Sequence, residues 1–210
     1  MKSFAVFCLL AYSVVGEANP FRRVSKDMPC RVTPKVKPEP LIKNPLKWLP
    51  KEELPDSLEW NNVNGTNYLT IIKNQHIPQY CGSCWAQAAA SSLSDRIKIA
   101  RNAAWPDINI AEQVLISCET YGDESDRDNG CHGGYAQNAY KWMAENEITD
   151  ETCSIYQARG VDNGALCSAM NGGCRNCNPG EACYVPDEYK VYQVEEHGDC
   201  IGEDAMIQEL

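Results

Sequence analysis

The sequence predicts an exported, disulfide-stapled domain, helical in its first half and looped in its second. Three observations carry that prediction. A signal-like start opens a chain with twelve cysteines in 210 residues, a density that reducing compartments rarely keep unless metal is bound. Three segments between residues 84 and 146 are rich in helix formers or helix-spaced apolar residues. Residues 160–185 are dense in Gly, Asn and Cys, the composition of stapled loops. The length fits one domain, or one and a half at about 150 residues each. A hydrophobic content of 43% is enough for a core and argues against wholesale disorder. A net charge of -10 argues against a nucleic-acid or anionic-membrane surface.

In chain order, residues 1–18 read as a signal peptide. Lys2 supplies the positive start, and the apolar run Phe4 to Val15 is broken only by Ser13. The run is well short of the ~20 residues that span a bilayer, and small residues follow at Gly16 and Ala18. Residues 19–53 hold seven of the twelve prolines and carry a net charge of +5, against -15 for residues 54–210. Prolines at that density prevent a continuous helix and favour extended chain. Two readings compete for 19–53, a flexible linker and a removable pro-segment lying extended over an acidic body at 54–210, and the opposite charges favour the second. Asn64-Gly65-Thr66 is an N-glycosylation sequon, which places Asn64 on an exposed loop if it is used.

Ser83 is placed to cap a helix that runs through the alanine-rich stretch after Trp85 to about Ile99. A second helix is expected around Ala111–Ile116. A third is expected from Tyr135 to Asn146, with Tyr140, Trp142 and Met143 among its apolar residues. Glu203 to Leu210 reads as a last helix. No internal repeat or low-complexity tract is evident.

The chemistry concentrates in Cys81-Gly82-Ser83-Cys84-Trp85. A thiol reacts as its thiolate, and Cys84 in the first turn of a helix would feel the positive end of the macrodipole. Three other readings compete: an ordinary structural cysteine, a thioredoxin-like redox pair, and half of a zinc site. No βαβ pattern surrounds the pair, which counts against redox. None of the three histidines has H-x₃₋₅-H spacing, which counts against zinc, but Cys174-x-x-Cys177 leaves an all-cysteine site open.

The five residues also fit the C-G-[SA]-C-[WY] pattern around the nucleophile of papain-family cysteine peptidases. Asn74-Gln75-His76-Ile77-Pro78-Gln79-Tyr80 resembles a carboxypeptidase branch of that family that carries a short His-Ile-Pro insertion. Leu54-Pro55-Asp56-Ser57, Trp60-Asn61 and Ala104-Trp105-Pro106 resemble the same branch, as do Cys131-His132-Gly133-Gly134 and Asp150-Glu151-Thr152-Cys153. The resemblance covers most of residues 54–210 and the short pro-segment. It implies an α+β, papain-like fold. The chain would be mainly the helical left lobe with disulfide-stapled loops, and the β-rich right lobe would be largely absent.

The resemblance further implies that Cys84 is the nucleophile and forms an acyl-enzyme. Gln75, nine residues earlier instead of the family's six, would donate to the oxyanion hole together with the Cys84 amide. Gln79, five residues earlier, is the competing assignment. His76 would bind the terminal carboxylate of a substrate, and Tyr80 would line the same substrate site. Gly133 and Gly134 would lie along the non-primed cleft, and His132 receives no catalytic role. The substrates implied are peptide or protein C-termini. No cofactor, metal, nucleic acid or membrane span is expected, and the location implied is lysosomal or secreted.

By the same resemblance Cys81 pairs with Cys131, Cys118 with Cys167, Cys153 with Cys174, and Cys177 with Cys183. Cys30 of the pro-segment would bond reversibly to Cys84 as a latency lock, since a low-pKa thiolate leaves readily in exchange. Cys200 is left over. The family's catalytic His and Asn lie about 130–150 residues past the nucleophile, whereas 126 residues follow Cys84 here. The expectation is therefore an inactive fragment of a peptidase. The rival reading is a disulfide-rich, non-catalytic papain-like homologue that binds peptides or partners, with a thiol oxidoreductase third.

Overall fold

The computed structural model describes residues 56–119 and 130–210. The expected signal peptide, the pro-segment with Cys30, and the first two residues of the 54–210 domain lie outside them. Helix α1 spans Cys84–Ala100, α2 Glu112–Cys118, α3 Ala136–Glu145 and α4 Glu203–Glu209. A 3₁₀ turn at Val161–Asn163 and a π-type turn at Ala169–Gly173 punctuate the loops between α3 and α4.

The spacing of small and apolar residues explains how α1 packs. Trp85, Ala86, Ala89, Ala90 and Leu93 are buried, at the i, i+1, i+4, i+5 and i+8 positions of one helix face. The alanines keep that face flat, so α2 and α3 both pack against it. Val114, Leu115 and Ile116 of α2 join the core with Ala139, Tyr140 and Met143 of α3, and Ile110, Ile148 and Val194 close it. Buried Ser94 is satisfied twice. Its hydroxyl donates to Ala90 O at 2.7 Å and accepts from Ile110 N–H at 2.9 Å, tying α1 to the segment that leads into α2. Helix α1 ends where Asn102 and Ala103 turn left-handed, at φ 53° and 55°. Lys98 in its last turn suits the negative helix end and holds Asp107 and Leu69 O, each at 2.9 Å.

Ser83 occupies the N-cap of α1, but its side chain makes no capping bond. That corrects the sequence expectation, and the cause is tertiary: the hydroxyl is engaged with Tyr156 OH at 2.6 Å. Helix α2 starts one residue later than expected and runs two further. Among the described residues, extended pairing is confined to isolated bridges such as Gly82–His132 and Ile148–Tyr192. The looped half is held covalently. Bridges join Cys81 to Cys131, Cys118 to Cys167, Cys153 to Cys174 and Cys177 to Cys183. No helix among the described residues is long and apolar enough to cross a membrane.

Candidate active site

Cys84 is the first residue of α1, where the unpaired backbone N–H groups of the helix point. It is half-buried and sits in a disulfide. Its proposed partner Cys30 lies outside the described residues. Cys81 is bridged to Cys131, not to Cys84, so the two do not form a redox pair here. Cys174 and Cys177 belong to separate bridges, which removes the all-cysteine zinc reading. Among the described residues no group of three or more His, Cys, Asp or Glu side chains is placed to hold a metal.

Two segments meet beside Cys84. The Cys81–Cys131 bridge and the hydrogen bond from Gly82 N–H to Cys131 O at 2.6 Å lay residues 81–84 alongside 131–134. Only glycine fits at position 82, because an added Cβ would come within 2.6 Å of Cys131 O. Gly133 and Gly134 follow, both buried. Gly133 has φ 109°, a conformation that side-chain-bearing residues rarely adopt. His132 turns outward and pairs with Asp162 Oδ2 at 2.7 Å, an interaction the sequence did not announce.

Residues 73–80 run up to the same segment from the N-terminal side. The His76 ring stacks on Tyr80, with centroids 4.5 Å apart and planes 10° apart. Its Nδ1 accepts from Cys81 N–H at 3.4 Å. That bond assigns the ring proton of the neutral tautomer to Nε2. Gln75 is half-buried, and its carbonyl accepts from Tyr156 OH at 2.7 Å. Gln79 donates its amide to Ala158 O at 3.0 Å. The structure thus gathers Gln75, His76, Tyr80, Cys84, Gly133 and Gly134 around one segment. Asn64 sits in its own exposed turn, at φ 52° between the bridged Val63 and Thr66.

The sequence reading missed a buried ionic cluster at the root of this loop. Lys73 Nζ lies 2.7 Å from Glu112 Oε2 and 3.5 Å from Glu151 Oε2 and donates to Ile110 O at 3.2 Å. The Lys73 and Glu112 side chains are 7% and 2% exposed. Burial, reinforced by the Glu112 carboxylate and opposed by the Lys73 ammonium, pushes the Glu151 carboxyl up to about 7. The one sequence signal for the cluster was a glutamate opening a helix of otherwise core-facing residues.

The papain family cysteine protease profile matches residues 54–208. The chain belongs to the papain family of cysteine proteases. It is 40% identical over 159 residues to a protein named cathepsin Z from Onchocerca volvulus, covering 76% of this chain and 48% of that one. It is 30% identical over 115 residues to cathepsin S from Bos taurus, covering 54% and 30%. Among solved structures, the proform of the ragweed pollen cysteine protease Amb a 11 aligns with a TM-score of 0.44. The identity is 25%, over 57% of this chain and 31% of that one. The chain spans about half the length of the first of these relatives and less of the others.

Proposed function

We propose that the chain supplies the nucleophile-bearing lobe of an exported, lysosomal or secreted cysteine-type carboxypeptidase. In this reading the Cys84 sulfur attacks a substrate carbonyl, whose electron pair moves to oxygen. The Gln75 side-chain amide and the Cys84 N–H receive that oxyanion. Collapse breaks the C–N bond as a general acid–base of the enzyme passes the proton taken from the Cys84 thiol to the departing amine of the C-terminal residue, leaving an acyl-enzyme that water hydrolyses. The observation that carries the exopeptidase assignment is the placement of His76. It is stacked on Tyr80, bonded through Nδ1 to the backbone beside the nucleophile, and left with Nε2–H as a donor for a terminal carboxylate.

His76→Ala tests the assignment in the full-length protein. Losing a hydrogen bond to a charged group should cost about 10–100-fold in kcat/KM on a peptide with a free C-terminus. The C-terminally amidated form of the same peptide should be little affected. Equal losses on both would sink the exopeptidase reading. Latency is assigned to a Cys30–Cys84 disulfide between pro-segment and nucleophile, opened by thiol exchange. Non-reducing peptide mapping of the proenzyme checks it, and recovery of Cys30 as a free thiol would overturn it. The proposal takes Asn64 as glycosylated and residues 54–210 as the peptidase domain.

A further inference from the structure

We propose that Tyr156 is a positioning residue for the oxyanion hole, its hydroxyl fixing the backbone of Gln75 against the cap of the nucleophile's helix. The inference rests on the peptidase reading above and on the assignment of Gln75 to the oxyanion.

The hydrogen-bond arithmetic gives the relay a direction. Tyr156 OH has one proton, and Gln75 O, a pure acceptor 2.7 Å away, takes it. Ser83 Oγ, 2.6 Å from the same phenol oxygen, must therefore be the donor. The relay runs from Ser83 through Tyr156 to the Gln75 carbonyl. One end is buried in the N-cap of α1, next to Cys84. The other reaches a loop whose residues 71, 72, 74 and 76–80 are exposed. Such a loop depends on specific tethers to fix it to the few tenths of an ångström that an oxyanion donor requires.

The tethers on that loop are unequal. Lys73 anchors its start through Glu112, and Gln79 anchors its end through Ala158 O. Tyr156 bonds Gln75 itself. The segment that supplies Tyr156 and the Ala158 carbonyl is well supported. Gln157 N–H donates to Gln113 Oε1 of α2 at 2.9 Å, and Gln113 Nε2 donates to Arg159 O at 2.9 Å. The Cys153–Cys174 bridge holds the start of the same segment. Burial pushes the Tyr156 phenol above its ordinary range, with the hydrogen bonds to Ser83 and Gln87 opposing. The hydroxyl therefore stays protonated and a donor at neutral and acid pH.

The test uses Tyr156→Phe in the full-length protein after reduction to the thiol. Two reactions of Cys84 are compared. In one, its sulfur adds to the carbonyl carbon of a peptide aldehyde, and the aldehyde oxygen occupies the oxyanion position. In the other, it displaces iodide from iodoacetamide and no oxyanion forms. Losing a whole oxyanion donor costs about 100–1000-fold, so displacing one should weaken aldehyde binding and kcat by about tenfold or more. KM and the alkylation rate should stay within about twofold. Ser83→Ala keeps the Tyr156–Gln75 bond and should show a smaller, equally selective loss. Unchanged aldehyde affinity in Tyr156→Phe overturns the proposal, and so does an equal loss in both reactions. If that variant does not fold, the absence of an aldehyde-selective loss in Ser83→Ala overturns it. Lack of peptide turnover by the unsubstituted protein would strike the peptidase reading instead, because the contrast between aldehyde and alkylation is read without turnover.

Discussion

Residues 84–148 and residues 153–192 are held together by different physics. The first region buries a contiguous apolar core in which Leu115, Ile116, Met143 and Ile148 are almost wholly enclosed. The second leaves Ile155, Leu166, Tyr184 and Val191 exposed and contains both cysteines of two bridges, 153–174 and 177–183. A chain that cannot bury enough surface to offset its conformational entropy needs covalent help. The candidate site lies where the two regions meet, with Ser83 beside Cys84 on the packed side bonded to Tyr156 on the stapled side. Each region should therefore fail in its own way.

The largest effect is expected in the packed region. Met143 is fully buried on α3, so Met143→Ala should remove about 2–5 kcal/mol of global stability. Urea unfolding should show the same midpoint shift by helix circular dichroism and by tryptophan fluorescence. Separate transitions for the two probes would show that the core is not one cooperative unit.

Cys153→Ser with Cys174→Ser comes next, opening a bridge across 21 residues of sequence. The expected cost is about 2–4 kcal/mol, and it should be local. Hydrogen exchange should rise across 153–176 while the amides of α1 stay protected. Equal loss of protection in α1 would mean that the staple supports the helical core, erasing the distinction between the two regions. Local loosening of this segment should also release Tyr156 and Gln75.

How far the sequence could be read follows the same division. The bounds of α1 and α3 were legible within about two residues because their signals are local: alanine content, 3.6-residue spacing and a cap position. The family was legible because the motif around Cys84 is contiguous. The bridge pairings came through the family resemblance, since spacing alone leaves many connectivities open. Ser83 misled because a distant tyrosine, Tyr156, takes the hydroxyl that local rules assign to the helix end. Lys73, Glu112 and Glu151 were invisible as a cluster because they are far apart in sequence and meet only once α2 packs. Local order can be read from a window of residues, whereas the supports of the site are tertiary.

The smallest expected effect is electrostatic and lies on the seam between the regions. Glu151 follows the segment that bridges Ile110 to Asp150, and its carboxyl is raised from 4.5 to about 7 by burial and by Glu112. A carboxyl raised on folding binds its proton more tightly in the folded protein. Its contribution to stability is therefore most favourable below about pH 4.5. That contribution shrinks as pH rises through about 7, where the folded carboxyl ionises beside Glu112. The Glu209 carboxyl is also raised, by burial opposed by Arg96, and adds in the same direction. Glu151→Gln keeps the shape and removes the charge. Relative to the parent, the variant should gain stability at pH 7.5 and gain little at pH 5, read as urea midpoints in the full-length protein. An equal effect of the substitution at both pH values would show that Glu151 ionises in the folded protein as freely as in the unfolded chain. The seam would then carry no acid-favouring charge.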